Sequence, residues 1–338
     1  MKKTHTRNKF YKKAAILGMK QVAPLETYLD EHEGELVGKF VRCFETYCQK
    51  IINMQEKGKK DALSYLHFSL LRTNILAKHY VFRIDAYNKD WYLDEQACVG
   101  EYDVSDLFSF MNGYEKDLEK ERHISPYAPH ISAADVKSLL LEESSKYTDI
   151  IIELIRLALK EAVKTMAYQA VLREDLFVIQ VGEFRDVNYT VYVEDRRPKQ
   201  PKDVIKLLER TDEEHQYEMF EQVELQGGHF NELRMAYSSG KGSQFIKSQF
   251  QRALMIACDF QGATFHQVSF KNAQLLELDF TGARMEEVDF EGAELHYLNF
   301  ENATLVNIDF SKAVTFEGIN LTNATLINTT IPSESEVS

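Results

Sequence analysis

The stretch FQGATFHQVSFKNAQLLELDFTGARMEEVDFEGAELHYLNF, residues 260–300, decides the fold. A large apolar residue returns at every fifth position. Stepping by five from Phe245 to Phe310 meets fourteen centres, all apolar: nine Phe, three Leu (Leu275, Leu295, Leu305) and two Met (Met255, Met285). With 44% of the chain hydrophobic, chance would give such a run in about one register in a hundred thousand. Neither a helix, with its period of about 3.6, nor a strand, with a period of about 2, accounts for it. Two residues before each centre stands a second series, from Ser243 and Ser248 through Ala253, Cys258 and Ala263 to Ala303 and Ile308, small or aliphatic throughout. Residues two apart on an extended chain share a face, so both series point inward together. A chain that turns a corner every five residues closes a square coil of about twenty, and such coils stack through backbone hydrogen bonds at about 4.8 Å.

The same register reaches upstream through Met235, Phe230, Leu225 and Phe220. Gly240 fails inside Ser-Ser-Gly-Lys-Gly and is read as part of a loop. Downstream, Thr315 is a weak centre and Leu321, Leu326 and Ile331 resume one residue late, which predicts a bulge or loop over 316–320. About five and a half coils result.

Before the repeats the pattern is mostly helical. Helices are expected over 25–55, where Leu25, Leu29, Leu36, Phe40, Phe44, Cys48, Ile51 and Ile52 follow three-four spacing, over 59–77, over 104–120, and from Ser132 towards Leu172. Ser132 with Asp135 reads as a capping box. Strands are expected at 79–87 and 90–98, and a hairpin at 176–184 and 189–194. The run from Arg196 to Lys202 reads as a solvated linker, followed by a helix over 202–218; this helix or the hairpin is expected to cap the first coil. The fold class is thus α+β: a mostly α-helical domain over 1–175, a β-hairpin, linker and capping helix over 176–218, a quadrilateral β-helix over 219–331 and a polar tail over 332–338.

Composition fits this division. A chain of 338 residues is long for one core. Its apolar runs are too short to span a membrane, the run Ala14–Met19 closes at Lys20 without a cleavage-like site, and four scattered cysteines suit a reducing cytoplasm. A formal charge of −13 argues against a sequence-independent nucleic-acid binder, which needs excess Lys and Arg, and leaves acidic mimicry open.

Candidate chemistry is sparse. The ten histidines are scattered, and neither His123 nor His130 has ligand-type spacing to another donor, so no metal and no cofactor is expected. Ser239–Ser243 lacks the residue order of a phosphate loop and reads as a turn. Asp259, Asp279, Asp289 and Asp309 recur as an element of the repeat, and their type suits tight corners better than acid catalysis. From Lys271 to Glu317 there are ten acidic residues against three basic. A solenoid about 26 Å tall would have to match about fifteen phosphates to imitate duplex DNA. Coils repeat every twenty residues, so Ile256, Leu276 and His296 should stack on one outward side with Tyr297 beside them. Such alignment predicts a surface covered by the N-terminal domain, a partner or a second subunit. Together with the acidic pair Glu286 and Glu287, these residues form the candidate interaction surface.

The pentads Gly-Ala-Glu-Leu-His at 292–296, Asn-Ala-Thr-Leu-Val at 302–306 and Asn-Ala-Thr-Leu-Ile at 323–327 resemble the pentapeptide-repeat family. That resemblance implies a right-handed β-helix and a mostly non-enzymatic role. The best understood relatives are acidic dimers that imitate duplex DNA, bind DNA gyrase or topoisomerase IV and confer resistance to quinolones. Their repeats fill nearly the whole chain and a helix after the last coil makes the dimer. Here the repeats cover about a third, and the tail is too short to dimerise that way. The leading expectation is a protein-interaction module with an unidentified protein partner. A topoisomerase partner is the alternative, a homodimer is admitted, and direct binding of nucleic acid or membrane is not expected. A third hypothesis, an enzyme hidden in residues 1–218, would need a polar pocket with a perturbed acid or base.

Overall fold

The computed structural model describes residues 2–124 and 126–332; the predicted tail beyond Pro332 lies outside them. The chain divides into two compact units between Asp195 and Arg196.

The first unit combines helices with a five-stranded mixed sheet. Helices α1 (Lys2–Met19), α2 (Val22–Glu56), α4 (Ser105–Arg122) and α5 (Ala133–Ala162), with the short α3 (Arg72–Leu76) and α6 (Met166–Ala170), accompany a five-stranded sheet. The strands β1 (Leu63–Leu70), β2 (Val81–Tyr87), β3 (Val99–Asp103), β4 (Arg173–Glu183) and β5 (Asn188–Asp195) lie in the order β3-β2-β1-β4-β5. Only β1 and β4 run parallel; the other pairs are antiparallel. Leu66, Phe68, Phe82, Ile84, Ile179 and Val181 share a core with Phe40, Phe44, Phe108 and Tyr147 of the helices. The Phe40 and Phe68 rings lie 5.5 Å apart.

Several expectations hold. Helices form over 22–56 and 105–122, and Ser132 and Asp135 make the capping box in both directions, at 3.2 and 2.8 Å. Others need correction. Residues 59–77 contain β1 and α3, not one helix, because a central strand buried on both faces loses the alternation that would mark it. No strand forms over 90–98. Asp94 holds that segment as an irregular loop by accepting from the amides of Asn88 and Gln96 at 2.7 and 2.8 Å and from Lys60 Nζ at 2.5 Å. The long helix stops at Ala162, and Thr165 caps a separate turn of helix. The expected hairpin forms within the first unit. β4 pairs with β1 at Arg173 and, after a register shift, over Val178–Glu183, burying Ile179 and Val181, so residues 176–195 belong to the first unit.

The second unit begins with α7 (Pro201–Leu208), far shorter than the expected helix over 202–218. Its Val204 and Leu208 enter the solenoid core, so this helix is the cap. The chain is already coiling at Glu214. Three-residue strands then alternate between two six-stranded parallel sheets. One holds Glu214–Gln216, Arg234–Ala236, Leu254–Ile256, Gln274–Leu276, Glu294–His296 and Thr315–Glu317. The other holds Glu224–Gln226, Gln244–Ile246, Thr264–His266, Arg284–Glu286, Thr304–Val306 and Thr325–Ile327. Single bridges ladder the remaining two sides, Ser239 to Asp259 to Asp279 to Asn299 on one and Gln249 to Ser269 to Asp289 on the other. This is a four-sided parallel β-solenoid of about six coils.

Inside, rings stack from coil to coil: Phe245 on Phe265 at 4.7 Å, Phe270 on Phe290 at 5.5 Å, Phe280 on Phe300 at 5.2 Å. The buried hydroxyls of Ser243 and Ser248 donate to the carbonyls of Phe220 and Leu225 in the preceding coil, which satisfies polar groups in an apolar column.

Two details of register differ from expectation. Gly240 is not in a loop: a Cβ there would lie 2.7 Å from Phe220 and 2.9 Å from Phe260, so it is an inward centre whose space two rings already fill. The slip near the end occurs earlier than 316–320. A 3-10 turn at Phe310–Lys312 absorbs the extra residue, and Phe316 rather than Thr315 pairs with Leu295 as the centre. An aromatic ring fills the column better than a threonine, and Phe316 lies 5.2 Å from Phe310.

Candidate interaction surface

Parallel pairing fixes the outward column. Ile256 stands opposite Leu276, and Leu276 opposite His296, with Ala236 and then Gln216 before them and Glu317 after. Leu254 lies in the same sheet, and Tyr297, 56% exposed, projects from the adjoining corner at a φ of 55°. His296 makes the column less apolar than its neighbours: Nε2 lies 3.1 Å from Thr315 Oγ1 and Nδ1 3.4 Å from Glu317. Ile256, Leu276, His296 and Tyr297 are thus brought together. Glu286 and Glu287 are not, because ten residues is half a coil and carries them to the other sheet. There Glu286 accepts from Arg284 at 2.8 Å and Glu287 from Gln267 at 2.7 Å.

The acidic repeat residues have a local job. Asp259, Asp279, Asp289 and Asp309 each accept the backbone N–H two residues ahead, at 2.9 to 3.2 Å, and Asn299 and Asn320 do the same. These side chains hold corners. Burial raises the Asp259 carboxyl above its ordinary range, although Lys241 opposes that at 2.8 Å. The ten acids between 271 and 317 are divided among the four sides as three, two, two and three. Lys271 pairs with both Asp289 and Glu291, offsetting one of their two charges, and Arg284 pairs with Glu286.

The first unit contains a perturbed base that the sequence did not single out. His67 is 1% exposed in the middle of β1, between Asp85 of β2 and Gln180 of β4. The rings of Tyr87, Trp91 and Tyr92 lie 5.3 to 5.8 Å away, and Tyr65 meets Trp91 at 4.2 Å in a tilted contact. Burial lowers the His67 pKa to about 4, against a small opposing pull from Asp85, which is itself engaged by Arg83 at 2.7 Å. The imidazole is neutral at pH 7. Its rings enclose it as side-chain packing; the hollows lined by Lys50, Asn53 and Lys57 and by Leu76, Tyr80 and Glu115 do not include it. The signal was faint because a lone His in an apolar strand has no spacing to read. Burial likewise pushes the Cys258 thiol up to about 12, away from nucleophilic use. Among the described residues, no group of three or more His, Cys, Asp or Glu is placed to hold a metal ion, and no helix is long and apolar enough to cross a membrane.

Comparison with known proteins agrees with the geometry. Residues 245–334 match the model of the pentapeptide repeat region, and the N-terminal part matches no family. The second unit is therefore a pentapeptide-repeat domain, and the structure carries its coils upstream to Glu214. Among solved structures, the chain is similar to trypsin-treated QnrB1, a plasmid-mediated fluoroquinolone resistance protein, at 14% identity and a TM-score of 0.30, covering 35% of this chain and 69% of that one. It is also similar to the pentapeptide repeat protein Rfr23 from the cyanobacterium Cyanothece 51142, at 15% identity and a TM-score of 0.23, covering 40% and 97%. HetL of the cyanobacterium Nostoc sp. strain PCC 7120, a pentapeptide repeat protein involved in heterocyst differentiation regulation, matches at 13% identity and a TM-score of 0.13, covering 37% and 92%. No curated protein matches.

Proposed function

We infer that the protein is a non-enzymatic protein-interaction module whose solenoid offers one rigid side to a protein partner. The in-register pair Ile256 and Leu276, with Leu254 beside Ile256 on the same strand and the exposed Tyr297 at the border, carries this reading. Its backbone is fixed by hydrogen bonds to the coils on either side, so little conformational entropy is lost on docking. Aliphatic contacts rimmed by Tyr and His have the make-up of an interface core. The DNA-mimic alternative draws no support from the charge pattern, because the acids are spread over all four sides and partly neutralised.

The test is affinity capture from extract of the source cells with the full-length protein and with Ile256→Glu/Leu276→Glu. A protein retained by the wild type and lost by the double variant supports the column. Equal capture by both would move the interface elsewhere. Protection of DNA gyrase from a fluoroquinolone in a supercoiling assay would instead promote the alternative.

A further inference from the structure

The most uneven charge in the molecule lies at its beginning. Residues 2–20 contain seven basic residues, Lys2, Lys3, Arg7, Lys9, Lys12, Lys13 and Lys20, and no acid. Residues 21–38 contain five acids, Glu26, Asp30, Glu31, Glu33 and Glu35, and no Lys or Arg. The first block is α1 and the second is the opening half of α2, joined by a tight turn in which Gln21 N–H donates to Gly18 O at 2.9 Å.

Among the described residues the two blocks make no ion pair with each other. α1 is fastened elsewhere, through buried Phe10, Ala14 and Leu17, the Phe10–Tyr127 ring contact at 5.4 Å and the Arg7–Asp135 ion pair. Lys9, Lys12 and Lys20 remain exposed, and among the described residues neither they nor Lys13 has a hydrogen-bond or ion-pair partner. On α2, Leu25 and Leu36 face inward while all five carboxylates are exposed and equally unpaired. At the elbow between the blocks, Ile16, Met19 and Val22 are 54%, 69% and 40% exposed.

We propose that this elbow is an interface with a second copy of the same chain, α1 of each copy lying against the opening half of α2 of the other. A two-fold contact is self-complementary, so a surface carrying adjacent strips of opposite sign satisfies both when it meets itself. The axis passes through the elbow and covers Ile16, Met19 and Val22. An anionic lipid surface or a nucleic acid fits less well. Either attracts α1, but five carboxylates begin six residues beyond Lys20, about 9 Å along a helix and within the Debye length at about 0.1 M salt.

Sedimentation equilibrium of the full-length protein tests this. The expected result is twice the 39.2 kDa chain mass at about 0.1 M salt, with the dimer weakened roughly tenfold or more towards 1 M. Lys9→Glu/Lys12→Glu/Lys20→Glu and Glu26→Lys/Asp30→Lys/Glu33→Lys should each be monomeric alone and form a mixed dimer together, since both halves of the two-fold are then re-paired. The wild-type salt titration stands independently of whether the variants fold. A monomeric wild type at about 0.1 M salt, dimers that persist in both variants, or flotation of wild-type monomer with anionic vesicles would each overturn the proposal.

Discussion

The two units bury aromatic rings by opposite rules. In the solenoid a residue's surroundings follow from its position within the five-residue unit, and its main neighbours lie twenty residues away on either side. Phe265 meets Phe245 and Met285 because the coil returns there, not because anything about that phenylalanine is special. In the N-terminal unit Phe68 meets Phe40 and Tyr102, which no fixed spacing relates. Repetition makes contacts local and readable; a mixed sheet makes them distant and particular.

Breaking the repeat at one ring should therefore affect its neighbours in known directions. Phe265→Ala removes the partner of rings at 4.7 and 5.6 Å and is expected to cost about 3–5 kcal/mol in chemical denaturation. A cost below about 1 kcal/mol would mean that coils do not share a core. The N-terminal counterpart is a buried charge. Lys60 and Asp94 have side chains 0% and 1% exposed and lie 2.5 Å apart. Burial alone would raise the Asp94 carboxyl, but Lys60 and the amides of Asn88 and Gln96 hold it below its ordinary range. Lys60→Met strands that carboxylate and should cost about 3–5 kcal/mol. An unchanged stability would show that the loop around Asp94 can turn it to water.

Titration sharpens the contrast further. His67 has a pKa of about 4 in the folded protein against an ordinary value of 6.5. The unfolded chain takes up the proton first as pH falls, so the stability tied to neutral His67 is complete above pH 6.5 and lost by about pH 4. The loss over that window should approach about 3 kcal/mol, at 1.36 kcal/mol per unit. His67→Phe should flatten this part of the stability profile measured by urea denaturation. A profile unchanged by the substitution would mean that water reaches the imidazole.

The sequence revealed the solenoid and the position of Ile256, Leu276 and His296 because one period carried both facts. It did not reveal that Glu286 lies across the coil from them, although the same count of twenty contained that answer. In the first unit amphipathic helices were legible and the capping box at Ser132 was found. β1 was missed because both its faces are buried. His67 went unread because its chemistry comes from Tyr87, Trp91 and Tyr92, which converge only in the fold.

Gly240 tests how far positional reading can be trusted. As a flexible loop residue it would tolerate alanine, with a gain of about 0.4–1 kcal/mol from a less mobile unfolded chain. As an inward centre it would not. The added Cβ meets Phe220 at 2.7 Å and Phe260 at 2.9 Å, and both rings are themselves packed, Phe260 against Phe245 at 5.7 Å and Phe280 at 5.6 Å. The rings can shift only by disturbing the column, so Gly240→Ala is expected to destabilise by about 1–3 kcal/mol. The sign alone decides. A stabilised variant would restore the loop and interrupt the solenoid within its second coil, whereas a destabilised one makes glycine the residue that leaves room for two phenylalanines.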